Sequence, residues 1–444
     1  MVEVIQNLGL ASILLLCGYA LRTKVGLLQK LYIPASVVGG MLGLLLGPEV
    51  LGALSPLCIR FSETASSYAM PLLAIVFSSQ FLGATLNRDT LRHTGATFFL
   101  NCSTIALQVT LGLLLTYLLL PHNEKLYLGF GLFPFLGFYG GHGVCTSTAE
   151  VFDAAGTFPL DLGLSVGNTF ATIGLLYGLV IGIIVINICA RKGLISSHAG
   201  TKARGGLQQT GLLPPEERHQ VVTAMTKSDV LNPVALHAAI LGMVMYLSYS
   251  LLPYIQKIPT LDNLNVTVPV LFVSVAVNLL SKRFGLNQYI DHKSLSSLSG
   301  VALEYLIVLS VANTKLSIFA DFGLEILCLS AVILAVNTAF VLFFGHLFHR
   351  DHWVENTLGT LGLSCGVLAT GFLLIRIADP DAHTGAAANL SCGNAVSTPT
   401  VQMFFNYIFA SVFVASPLLA CGIPAVLLIL FPLTCFLLLH RRTP

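Results

Sequence analysis

Charge is what this sequence has least of. Asp, Glu, Lys and Arg together make up 9% of 444 residues, against roughly 25% in soluble globular proteins. A soluble surface of this size needs far more, so a chain of soluble domains is excluded. Neither sign dominates: 22 Lys and Arg against 20 Asp and Glu leave a net charge of +2. There is no basic block for nucleic acid and no acidic tail. The ten cysteines include no C-x-x-C pair and fall mostly in apolar runs. They read as small buried hydrophobes rather than a disulfide framework or a zinc site. No positive charge precedes the first apolar run; Glu3 does, and Arg22 and Lys24 follow it. That order is the reverse of a cleavable signal, so the first segment is expected to be a retained span starting outside.

What the chain has instead is hydrophobicity, at 55% of residues and a mean hydropathy of +0.83. The solvent such a composition needs is a lipid bilayer. Apolar runs long enough to cross it lie at about 4–21, 33–52, 68–87, 95–120 and 163–190. After a polar stretch from Arg191 to Asp229, further runs lie at about 231–256, 264–281, 296–316, 321–348, 395–416 and 418–439. Basic residues cluster after spans one, three and five and in the loop holding Lys282, Arg283 and Lys293. All fall on one face if the spans alternate, which makes that face cytoplasmic. Arg441 and Arg442 join them if the last run is an eleventh span.

Two apolar segments, about 126–152 and 357–379, are interrupted by glycines. Counted as re-entrant hairpins, they preserve the charge pattern; irregular backbone at membrane depth must be buried in protein or line a water-filled cavity. The halves also repeat. Leu164-Ser165-x-Gly167-Asn168-x-x-x-Thr172 returns 226 residues later as Leu390-Ser391-x-Gly393-Asn394-x-x-x-Thr398, and the same offset carries Gly140 onto Gly366. Five crossings per repeat make the repeats antiparallel, an arrangement common in secondary transporters. The expected fold is therefore an all-α polytopic membrane protein. It has two inverted five-span repeats, each with a re-entrant hairpin, and an extra C-terminal span. The divisions are 1–190 for the first repeat, 191–229 for a cytoplasmic linker, 230–416 for the second repeat and 417–444 for the last span and tail.

Gly140-Gly141-His142-Gly143 allows a sharp turn and close approach of backbone to a ligand. Thr146, Ser147 and Thr148 follow, suited to open a short helix whose positive end fits a carboxylate. Close helix packing also favours such residues. For His142, substrate contact, proton relay and a structural hydrogen bond are all open. Ser165, Asn168 and Thr172 share one helical face, and Ser391, Asn394 and Thr398 repeat it. Their oxygens suit Na⁺, or else hydrogen bonds between helices. Glu304, well inside a span, contacts a cation or is protonated or paired. Arg376 holds an anion or snorkels to the interface.

At these residues the chain resembles the glutamate:sodium symporter family. Ile33-Pro34-x-x-Val37-Val38-Gly39-Gly40, Gly140-Gly141-His142-Gly143 and Pro399-x-Val401 with Phe404-Phe405 are similar to its motifs, in order and spacing. In the second hairpin Gly359, Gly362, Gly366 and Thr370 survive, while the family's histidine and proline do not, and its final-span acidic residue falls on Tyr407. The resemblance implies Na⁺-coupled uptake of glutamate or a related small carboxylate into the cell across its inner membrane, by a homodimer with an elevator-like movement. Na⁺ is then the coupling ion and no other cofactor is expected. Gly362, Gly366 and Thr370 join the residues around Gly141 at the substrate. Another organic anion or a dicarboxylate as substrate, an ion channel whose filter is formed by the hairpins, and an intramembrane hydrolase using His142 with Ser147 or Asp153 are the rival readings.

Overall fold

Apolar runs become helices because backbone in hydrocarbon must satisfy its own polar groups, and a helix does so within one segment. In the computed structural model every regular element among the described residues is helical. The structure describes residues 2–30, 33–62, 65, 68–82, 95–142, 144–195, 230–257, 266–349, 351–379 and 384–440. Nine helices among them are long and apolar enough to cross a membrane. Each coincides with an expected span. The other two expected spans fall on Ala69–Phe81, of 13 residues, and Thr267–Arg283, of 17, both close to residues outside the described set. Most of the linker, from 196 to 229, lies outside the described residues, as do Gly143, Arg441 and Arg442.

The chain forms two compact units, and each draws on both halves of the sequence. The first holds residues 1–85, 149–155 and 206–315. Its helices are α1 (Val2–Lys24), α2 (Ala35–Leu46), α3 (Ala69–Phe81), α4 (Pro233–Ile255), α5 (Thr267–Arg283) and α6 (His292–Ala312). The early Gly39-Gly40 pair is a packing device here. A Cβ on Gly18 of α1 would lie 2.5 Å from the Gly39 nitrogen, and one on Gly40 would lie 2.6 Å from Val311 of α6. Without a hydrophobic drive between helices in lipid, such close approach is what holds them together. Polar residues join the same contacts. Asn7 donates to the Ser62 hydroxyl at 2.7 Å and accepts from its N–H at 3.1 Å. The buried His237 ring accepts the Asp291 N–H at 2.9 Å through Nε2, so in the neutral ring its Nδ1–H donates to the Pro233 carbonyl at 2.7 Å. Asp291 in turn caps α6 by accepting from the Ser294 N–H at 3.0 Å.

The second unit holds residues 86–148, 156–205 and 316–444. It contains α7 (Gly95–Leu119), α8 (Phe133–Phe138), α9 (Leu160–Arg191), α10 (Ile318–Phe348), α11 (Trp353–Ala378), α12 (Ala386–Ser397), α13 (Phe409–Ala415) and α14 (Pro417–His440). The short helix Cys145–Ala154 begins in this unit. Between α12 and α13 the chain runs through two π-helical turns, Thr398–Gln402 and Phe404–Ile408, beside Pro399. The span expected from 395 therefore starts nine residues earlier, at Ala386. Aromatic rings fill one part of the core: Phe130 lies 5.3 Å from Phe322 and 6.1 Å from both Phe133 and Phe170.

Helix α9 is the spine of this unit. A Cβ on Gly137 of the first hairpin would lie 2.8 Å from the Gly167 carbonyl, and one on Gly182 would lie 2.4 Å from Leu374 of the second. The second hairpin is a true fold-back, in which α11 consists of two helical limbs that meet at a break. Its backbone leaves helical angles at Gly366 and Val367. A Cβ on Gly362 would lie 2.6 Å from the Gly371 Cα, whereas nine residues of straight helix span about 13 Å. The tips of both hairpins meet within this unit. Gly141 has φ +77° and Val367 has φ +66° with ψ 170°, at positions 226 residues apart. A Cβ on Gly141 would lie 2.4 Å from Val367 Cγ1. Glycine adopts its angles freely, but valine is held in a region reserved almost entirely for glycine.

This contact makes the two tips energetically coupled. Gly141→Ala should lower the melting temperature of purified protein. Val367→Gly should hold or raise it by relieving strain of about 1–3 kcal/mol. Combined, they should recover part of the alanine loss, a coupling of about 0.5–3 kcal/mol. Strict additivity in thermal melts would contradict the contact.

Candidate functional site

The geometry around the tips begins with the helix Cys145–Ala154, which starts just after Gly141 and His142. The first N–H groups of any helix have no partner inside it and carry partial positive charge. Thr146 and Thr148, in its first turn, are 2% and 1% exposed. Neither hydroxyl has a hydrogen-bond partner among the described residues. Ser147 is placed differently: its hydroxyl lies 3.0 Å from the Val144 carbonyl and 2.9 Å from that of Asn406. The two side chains, two residues apart, do not share a face of the helix, so an anion at the helix start can meet either hydroxyl together with the free N–H groups of that turn.

His142 is buried and its Nε2 lies 3.0 Å from Thr172 Oγ1. Thr172 gives its own proton to the Asn168 carbonyl at 3.0 Å. His142 Nε2 is therefore the donor, which fixes the tautomer of the neutral ring. Of the roles open to this histidine, the structural hydrogen bond is present: it ties the first tip to α9. Ser165 and Asn168 are buried on the same helix, and the Cys145 thiol faces Asn168 Oδ1 at 3.9 Å. Gly140 packs on Leu136 and Val144, while Gly143 lies outside the described residues.

In the second hairpin the three candidates take different places. Gly362 serves the contact between the limbs, against Gly371. Gly366 is at the tip, where a Cβ would lie 3.1 Å from the Leu175 Cα of α9. The Thr370 hydroxyl is engaged by the Gly366 carbonyl. On the repeated face, Ser391 is exposed, Thr398 donates to Gln402 Oε1 at 3.0 Å, and Asn394 keeps a buried Oδ1 without a partner among the described residues. The two faces thus differ in burial: α12 turns Gly393 toward Thr97 of α7 and leaves Ser391 exposed. Glu304 and Arg376 are both exposed. Neither belongs to the cluster at the tips.

Sequence reasoning passed over another polar group. Gln108 in the middle of α7 donates from Nε2 to the Ser364 carbonyl at 2.7 Å. Asn337 in the middle of α10 donates from Nδ2 to the Ser364 hydroxyl at 2.9 Å and faces the Cys365 sulfur at 3.5 Å. Ser364 Oγ in turn donates to the Leu361 carbonyl at 3.2 Å. The signal available was an amide side chain inside each of two apolar runs, Gln108 with Asn101 in the first and Asn337 in the second.

Comparison with known proteins points to one family. The model of the family described as sodium/glutamate symporter matches residues 1–352, ending just before α11. The sodium/glutamate symporter of Haemophilus influenzae is 24% identical over 352 residues, covering 76% of this chain and 79% of that protein. These are membrane transporters rather than enzymes, which removes the hydrolase reading. The chain belongs to the sodium/glutamate symporter family.

Proposed function

We propose that this protein imports glutamate, or a closely related small carboxylate, by Na⁺ symport, with the substrate carboxylate bound at the start of the helix Cys145–Ala154. The observation that carries the reading is the pair of unpartnered, buried hydroxyls of Thr146 and Thr148 beside the meeting point of the two tips. A buried hydroxyl with nothing to bond is costly, and a carboxylate relieves that cost while it is bound. Gly141 lets the backbone come close at the same point. The Asn-bearing faces, Ser165, Asn168 and Thr172 with Ser391, Asn394 and Thr398, are proposed as oxygen donors to Na⁺. The gradient and the membrane potential then drive uptake, the potential contributing about 2.3 kcal/mol per charge per 100 mV. A different organic anion at the same hydroxyls is the second reading, supported by the departures from the family pattern in the second hairpin and at Tyr407.

The inverted repeat belongs to the proposal as well. Its supports are the shared 226-residue offset of the Asn motifs and of the positive-φ tips. The cuts between compact units, after Thr85 and Lys315, are 315 − 85 = 230 residues apart, close to that offset. With five crossings per repeat and an eleventh span, the linker and the C-terminus lie in the cytoplasm of a cell whose inner membrane holds the protein as a homodimer. Single cysteines at Ala203 and Thr443 in a background lacking exposed thiols check the topology. Both should react with an impermeant reagent only from the cytoplasmic side, and labelling of Thr443 from outside contradicts the eleventh span. Native mass spectrometry checks the dimer.

Thr146→Val and Thr148→Val separate binding from stability. Each keeps its shape and removes a hydroxyl that has no partner, so melting temperature should hold or rise. The apparent substrate constant should increase about 10- to 150-fold, as expected for loss of a bond to a charged group of about 1.5–3 kcal/mol. Asn168→Ala and Asn394→Ala should act instead on the Na⁺ constant. Unchanged substrate constants in both valine variants would place the carboxylate elsewhere.

A further inference from the structure

The amides that grip Ser364 leave something over. Gln108 and Asn337 are both fully buried, and each uses its NH₂ on Ser364. Neither Gln108 Oε1 nor Asn337 Oδ1 has a hydrogen-bond partner among the described residues. The orientations are set by the partners: the Ser364 carbonyl can only accept, and Ser364 Oγ already gives its proton to Leu361. Turning either amide over would set two acceptors against each other. Two carbonyl-type oxygens are thus held in the protein interior with unused lone pairs. Ser364 and Cys365 close the first limb of α11, just before the break at Gly366. The last carbonyls of such a limb lack helical partners and carry partial negative charge.

We propose that Gln108 Oε1 and Asn337 Oδ1, at the C-terminal end of this limb, bind a monovalent cation, Na⁺ in the coupled cycle. The site deepens the Na⁺-coupled reading above and rests on it, and it uses none of the residues on the Asn168 and Asn394 faces. Its chemistry selects charge. Broken helix ends and carbonyl oxygens suit Na⁺ at membrane depth. Sites for Ca²⁺ and Mg²⁺ are built with carboxylates, and no group of three or more His, Cys, Asp or Glu gathers among the described residues. The position also gives the ion a purpose. It grips the limb that ends at Val367, whose side chain meets Gly141 of the first hairpin. Cation binding there steadies the tip-to-tip contact beside the carboxylate hydroxyls, and so couples ion to substrate without direct contact between them.

The test is Na⁺-dependent uptake by the full-length protein in proteoliposomes, comparing wild type with Asn337→Asp, Asn337→Leu and Gln108→Leu. The leucine variants should raise the Na⁺ half-saturation constant about tenfold or more, as loss of one ligand implies. Asn337→Asp keeps size and an oxygen, and the Ser364 hydroxyl can turn its proton to the new carboxylate. It should lower the constant about threefold or more, since an ionised oxygen binds a cation more strongly. If the leucine variants do not fold, Asn337→Asp decides. A constant that is unchanged or raised in Asn337→Asp overturns the site while leaving Na⁺ coupling intact. Wild-type uptake indifferent to Na⁺ overturns the coupling itself, a separate result.

Discussion

At Gly174 the backbone of α9 lies against both hairpins at once. A side chain there would sit 2.5 Å from the Phe138 ring of the first and 2.4 Å from the Cys365 carbonyl of the second. Gly167, Gly178 and Gly182 continue the same seat along one helix, against Cys145, Cys365 and Leu374. Lipid provides no hydrophobic reward for bringing helices together, so distance of approach decides. Removing side chains from one helix is what lets two broken segments converge on it. The meeting of Gly141 with Val367, the hydrogen bond from His142 to Thr172 and the buried helix end at Cys145 all depend on that seat.

The converging segments present opposite helix ends. The helix Cys145–Ala154 offers its N-terminus, with the spare hydroxyls of Thr146 and Thr148. The first limb of α11 offers its C-terminus, where the spare oxygens of Gln108 and Asn337 lie. Donors stand at one end and acceptors at the other, each in the sense of its own dipole. A symporter of a carboxylate and a cation needs that division. It also needs an energetic link between the two ligands, because a ligand shifts a conformational equilibrium only by binding its states differently. The strained valine at the second tip is a reasonable place for such a link, since strain held by surrounding contacts is released when those contacts change.

Much of this was legible in the sequence. Composition determined the solvent, run length the spans, and the clustered glycines at 140–143 and 359–366 the hairpins. The 226-residue repeat of the Asn motif pointed to the tips, and the same offset joins Gly141 to Val367. What stayed hidden depends on partners far apart in the chain. Gln108 and Ser364 are separated by 256 residues, and an amide in an apolar run looks like helix glue until its neighbour is known. Gly362 has the same spacing a ligand-facing glycine would have, yet it packs on Gly371. Ser391 matches Ser165 in sequence and not in burial, because the two helices have different neighbours. The early start at Ala386 was masked by Asn389 and Ser391, which dilute the apolar signal of that helix.

The proposed transport cycle turns on two coupled sites, one for a carboxylate and one for a monovalent cation. The most direct measurement is accumulation of radiolabelled glutamate by proteoliposomes of the wild-type protein, under an inward Na⁺ gradient and under an equal K⁺ gradient, with unlabelled amino acids and dicarboxylates as competitors. Concentrative uptake with Na⁺ alone, displaced by acidic amino acids or dicarboxylates and not by neutral amino acids, is the predicted result. Uptake that proceeds equally with K⁺, or competition by neutral amino acids as strong as by these acidic solutes, would contradict it.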